Sequence, residues 1–115
     1  MGLDLILEAT EKKKFYENSD YFNQEAEDEI PFNVRCQMRT IESLKNEEEL
    51  MDALGDMEAR AFREIDNCHY IIVDKAGVQE LIRNTSLSEE AQQALKKVLE
   101  EVDFEKEIFT VYPWW

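Results

Sequence analysis

Asn46–Asp66, NEEELMDALGDMEARAFREID, is the longest periodic stretch of the chain, and its reading decides the fold. Leu50, Leu54, Met57, Ala61 and Ile65 follow one another in steps of four, three, four and four, which places their side chains on one face of a 3.6-residue helix. Met51 and Phe62 widen that stripe. Asn46 stands where an N-cap is expected, and Glu47, Glu48 and Glu49 sit where the positive end of the helix dipole favours anions. Asp56–Arg60 and Arg60–Glu64 have the i,i+4 spacing of helical ion pairs. The segment is therefore a helix with one face in a core and the other in solvent.

On the N-terminal side, Leu3–Thr10 alternates, with Leu3, Leu5 and Leu7 against Asp4, Ile6 and Glu8, the pattern of a half-buried strand. Lys12, Lys13 and Lys14 form the only basic run. Phe15, Tyr16, Tyr21 and Phe22 are scattered among turn formers and fix no period, so a loop or hairpin arm is expected there. Gln24–Glu29 is acidic without a large apolar residue and belongs at the surface. After Ile30-Pro31, Val34, Cys36 and Met38 alternate with Arg35, Gln37 and Arg39, which predicts a second strand ending near Thr40 or Ile41.

On the C-terminal side, Cys68–Val73 (CHYIIV) is short, β-branched and bounded by Asn67 and Asp74, as a central strand buried on both faces would be. Asp74 can cap a helix running to about Arg83 with Val78, Leu81 and Ile82 inward, although Gly77 costs such a helix about 1 kcal/mol relative to alanine. Ser86 and Glu89 have capping-box spacing, and Ala91, Ala94, Leu95, Val98, Leu99 and Val102 predict a further helix over about Leu87–Val102. Ile108–Tyr112 alternates as a last strand, which Pro113 should end. The order implies a single α+β domain over residues 1–115, a small, mainly antiparallel or mixed sheet packed against about three helices. A three-helix bundle with β ends is the competing arrangement.

Composition bounds the function. At 115 residues the chain can bury a real core without metal or disulfides. Its 27 acidic and 13 basic residues give a net charge of −14, so direct binding to nucleic acid or to an anionic membrane is disfavoured and a basic protein surface is favoured. With two cysteines, no secretory hydrophobic region and no apolar run of about 18 residues, the expected place is the cytoplasm.

Catalytic patterns are few. His69 is the only histidine, and as a strand neighbour of Cys68 it points to the opposite face, so the two are expected to pack rather than to ligate a metal. Three glycines, Gly2, Gly55 and Gly77, cannot write a dinucleotide or phosphate-loop fingerprint. No serine lies in a nucleophile elbow. No catalytic residue, metal or cofactor is assigned.

Three acidic clusters remain: Glu25, Glu27, Asp28 and Glu29; Glu47, Glu48, Glu49, Asp52 and Asp56; and Glu100, Glu101, Asp103, Glu105 and Glu107. Each is either a solvated face complementing a helix dipole or an imitation of a row of phosphates. The end of the chain, Tyr112-Pro113-Trp114-Trp115, either folds back over the core or offers an aromatic anchor of the kind found at interface centres. Glu47, Glu48, Glu49, Asp52, Asp56, Trp114 and Trp115 are thus the candidate partner-binding residues.

The opening Met1-Gly2-Leu3-Asp4-Leu5-Ile6-Leu7, with Tyr70, Val73, Lys75 and Leu81 further on, resembles a group of small uncharacterised phage and prophage proteins that begin MGLD before an apolar strand. The resemblance implies a phage-related accessory protein. Together with the charge it leads to the expectation of a small acidic, non-enzymatic inhibitor, of the anti-restriction or anti-CRISPR type, that blocks a basic nucleic-acid-handling bacterial protein. An immunity protein neutralising a toxin nuclease, and a small enzyme using carboxylates with Tyr70 or His69, are the alternatives.

Overall fold

The structure, a computed structural model, describes residues 2–17, 38–62 and 70–115. Along these the elements are β1 (Asp4–Glu11), α1 (Lys12–Glu17), β2 (Arg39–Lys45), α2 (Glu48–Arg60), β3 (Ile71–Ile72), α3 (Lys75–Ile82), α4 (Glu89–Glu101) and β4 (Glu107–Trp114). The strands form one antiparallel sheet in the order β2-β1-β4-β3. The chain is a small α+β fold, with α2, α3 and α4 on one face of the sheet.

Strand alternation builds the main core. Leu5, Leu7 and Ala9 of β1 and Phe109 and Val111 of β4 point to the same face, where they meet Leu50 and Leu54 of α2, Val78 and Leu81 of α3 and Ala91, Ala94, Leu95 and Val98 of α4. The opposite face is also covered. There Phe15 of α1, Met38, Tyr70 and Tyr112 form a second cluster with Ile6 and Ile108 against it. β1 is therefore buried on both sides, and the helix α1 stands where the sequence suggested a loop or hairpin arm.

Several boundaries differ from the sequence expectation for identifiable reasons. β2 runs to Lys45 rather than ending at Thr40 or Ile41, because a bulge pairs Leu7 with Glu42 but Glu8 with Thr40 and leaves Ile41 as the extra residue. The bulge puts Ile41 and Leu44 on one face at a spacing of three, which disguises a strand in the sequence. Asn46 is not the cap of α2: it has a left-handed φ of 59°, and its side-chain Oδ1 accepts a hydrogen bond from the Leu3 N–H at 3.2 Å. Asparagine tolerates that conformation, so the residue makes the turn and ties β2 to the start of β1. α2 also ends at Arg60. Ala61 and Phe62 turn out into solvent, Phe62 with φ 60° and 97% exposed, while Glu58 is buried in their stead. Residues 63–69, including the expected continuation to Ile65 and Asp66, lie outside the described residues.

β3 is an edge strand of two residues rather than a central one among the described residues, and Ile72 on it is 44% exposed. Among the described residues β3 pairs only with Val111 and Thr110 and leaves β4 without a neighbour on that side by Pro113, where a missing N–H is tolerated. Pro113 consequently sits within the strand, paired with Leu5, instead of ending it. The expected second strand from Asn33 overlaps the description only from Met38, and the Gln24–Glu29 stretch lies wholly outside it.

The two later helices begin on side-chain caps. Asp74 accepts a hydrogen bond from the Gly77 N–H at 2.7 Å, as expected. Ser88, not Ser86, caps α4 by accepting from the Ala91 N–H at 3.1 Å, while Ser86 belongs to the preceding turn with its N–H donating to Asn84 Oδ1. Gly77 is buried, and a Cβ there would lie 2.9 Å from both Met57 Cε and Val73 Cγ1 and 3.1 Å from Asp74 Oδ1. Gly77→Ala gains roughly 1 kcal/mol of helix propensity but forces overpacking that costs about 1–3 kcal/mol. Met57 can move away, but β-branched Val73 is stiff. A net loss of about 1 kcal/mol is the expected outcome, read as a lowered urea midpoint, and a raised midpoint would show that the helix packing yields.

Candidate interaction surface

The candidate surface starts from the two-sidedness of α2. Leu50 and Leu54 are inward, and Glu48, Glu49, Asp52 and Asp56 are exposed. Glu48, Asp52 and Asp56 succeed one another at i,i+4 and so line one stripe of the helix. Arg60 is drawn off the end of the stripe by Glu80 of α3, its Nη2 donating to Oε1 at 2.7 Å. That pairing takes the place of the one expected with Asp56, while Glu64 lies outside the described residues.

Glu47 is separated from its neighbours in function. It is 6% exposed, and both of its carboxylate oxygens lie in hydrogen-bonding range of the Ser88 hydroxyl, at 2.8 and 2.7 Å. Since Ser88 also caps α4, Glu47 fastens the start of one helix to the start of another and presents no charge to a partner. Four of the five acidic candidates thus remain on the surface. The third acidic cluster is of a different character: Glu107 is held by Arg39 at 3.0 Å, and Asp103 accepts from the Glu105 N–H. On α4, Lys97 donates to the Ile41 carbonyl at 3.1 Å and pairs with Glu42 at 3.3 Å. The negative charge of this cluster is interleaved with cations, and among the described residues that of α2 is not. The first cluster lies outside the described residues.

Trp114 and Trp115 are 56% and 45% exposed. Trp114 pairs with Asp4, which pairs on its other side with Lys45, three residues before α2 begins. The acidic helix start and the tryptophans therefore meet at one end of the sheet. They do not share a face, because alternation puts Trp114 on the side of Tyr112 and Ile6, away from α2.

A polar cluster that sequence reading missed lies on that second face. Glu8, Thr10 and Thr110 are 4%, 2% and 0% exposed, with Glu8 directly opposite Thr110 in the sheet. Tyr70 and Tyr112 adjoin them, ring centroids 4.6 Å apart and tilted by 44°. The hydroxyls of Thr10 and Thr110 meet no hydrogen-bond partner among the described residues. The signal was present in the alternation of Glu8 and Thr10 with Ala9, but a second covering layer is invisible until α1 is known to be a helix.

Among the described residues no group of three or more His, Cys, Asp or Glu side chains is arranged to hold a metal ion, and no helix is long and apolar enough to cross a membrane. Cys36, Cys68 and His69 lie outside the described residues. Comparison with protein-family models, curated proteins and solved structures finds no match to this chain.

Proposed function

We propose that this protein is a non-catalytic inhibitor, phage-related and of the anti-restriction or anti-CRISPR type, that lays the exposed face of α2 into the nucleic-acid groove of a basic bacterial protein in the cytoplasm. The observation that carries the reading is the spacing of its charges. Glu48, Glu49, Asp52 and Asp56 span eight helical steps, about 12 Å at a rise of about 1.5 Å, or roughly one negative charge per 4 Å. A single DNA strand carries about one phosphate per 3.4 Å of helix axis. The match is axial, and the carboxylates, like phosphates, offer acceptors to Arg and Lys. The net charge of −14 and the resemblance of the opening residues to small phage proteins support the same reading.

The test is capture of the partner from a bacterial lysate on the immobilised protein, followed by challenge with duplex DNA and with the partner's own RNA if it carries one. Release by nucleic acid is expected. A partner held equally well under saturating nucleic acid would refute phosphate mimicry, and a partner that is a toxin nuclease bound away from its nucleic-acid site would favour the immunity reading.

A further inference from the structure

A second site lies at the far end of the sheet, where two lysines balance two carboxylates within a strongly acidic chain. The Val73 N–H donates to the Phe109 carbonyl at 3.1 Å, after which Asp74 turns into α3 while β4 continues back to Ile108 and Glu107 without a neighbour on that side among the described residues. The uncovered corner is a cleft of about 330 Å³. Its apolar lining is Ile72, Val73, Phe104, Ile108 and Phe109. One wall is fixed by the Lys12 N–H donating to the Lys106 carbonyl at 2.8 Å, which brings the start of α1 over the cleft.

The polar groups of the cleft are not equivalent. Both carboxylates are engaged by the protein: Glu107 with Arg39 at 3.0 Å and with the Asp103 N–H at 3.2 Å, and Asp74 with the Gly77 N–H at 2.7 Å. Lys12 and Lys75, which also line the cleft, make no ion pair among the described residues. In a chain with 27 acids to 13 bases, two lysines without an ion pair beside apolar side chains set this cleft apart from the rest of the surface.

We infer that this cleft binds a compact aromatic carboxylate, its ring on Phe104, Ile72 and Ile108 and its charge between Lys12 and Lys75. A volume near the lower end of the roughly 300–1,000 Å³ typical of ligand sites suits one ring and a short acid chain. The half-buried Phe104 offers the ring a partner for offset or edge-to-face contact. The carboxylate gains two ammonium partners over a surface that excludes part of their water, where such pairs are stronger than in bulk solvent. Nucleic acid is too large for the cleft, so this site is independent of the acidic face of α2.

The experiment titrates isotope-labelled protein with 3-phenylpropanoate and, separately, with the neutral 3-phenylpropanamide, following the Ile72 and Ile108 methyl resonances. The acid should shift both and bind at least tenfold more tightly than the amide. Lys12→Gln combined with Lys75→Gln should remove at least tenfold of the acid's affinity, bring acid and amide close together, and leave the melting temperature nearly unchanged. Lys13→Gln should leave the acid's affinity as it was. Equal binding of acid and amide, shifts centred elsewhere, or an effect of Lys13→Gln as large as that of the double variant would overturn the assignment.

Discussion

Phe109→Ala should destabilise the protein by about 3–5 kcal/mol, the usual range for truncating a fully buried phenylalanine. Phe109 is 1% exposed on β4, facing the helices and paired with Ala9 on β1, so its ring fills space opposite the smallest side chain of the neighbouring strand. Neither strand can move in to close the cavity, since each is covered on its other face by the cluster of Phe15, Met38, Tyr70 and Tyr112. The loss is a large part of the roughly 5–15 kcal/mol available to a domain. In thermal unfolding it should appear as a fall of roughly 10–30 °C. Trp114→Ala on the same strand, 56% exposed, is the comparison and should move the transition by a few degrees at most. Similar falls for both would mean that Trp114 closes the second cluster and is no free anchor.

The contrast between these two positions also shows which parts of the fold were legible in the sequence. Alternation identified β1 and β4 and, at 3.6-residue spacing, the inward residues of α3 and α4, because in these elements each side chain lies where an unbroken period puts it. The period failed wherever backbone geometry changes locally. The bulge at Ile41 turned a strand into an apparent helical step, and the left-handed Asn46 and Phe62 moved both ends of α2 inward from where the apolar stripe seemed to place them. Burial of Glu47 could not be foreseen, since its partner Ser88 is 41 residues away and charge alone made it look like Glu48 and Glu49. The aromatic carboxylate cleft was equally hidden. Lys12, Lys75 and Phe104 are far apart in sequence and line one cleft only in the folded chain.

The distinction between Glu47 and its neighbours sharpens the functional test. Glu48→Lys with Asp52→Lys should slow association with the partner by at least tenfold at 50 mM salt, because each reversal removes a negative charge and adds a positive one within the surface presented to a basic groove. The net charge changes from −14 to −14 + 4 = −10, so most of the chain's overall field survives and the loss reads the local face. Steering acts over a Debye length of about 8 Å at physiological salt, and the rates of the wild-type and variant proteins should therefore converge at 500 mM. Stability should change by less than about 1 kcal/mol, since both side chains are exposed. Glu47→Gln is expected to do the opposite, weakening the tie to Ser88 and lowering stability while leaving the association rate in place. The decisive control is Glu100→Lys with Glu101→Lys, which makes the same change in net charge on α4, where Lys96 and Lys97 already interrupt the acids. If that pair slows association as much as the pair on α2, the partner senses only total charge, and the phosphate-like spacing of Glu48, Glu49, Asp52 and Asp56 has no part in recognition.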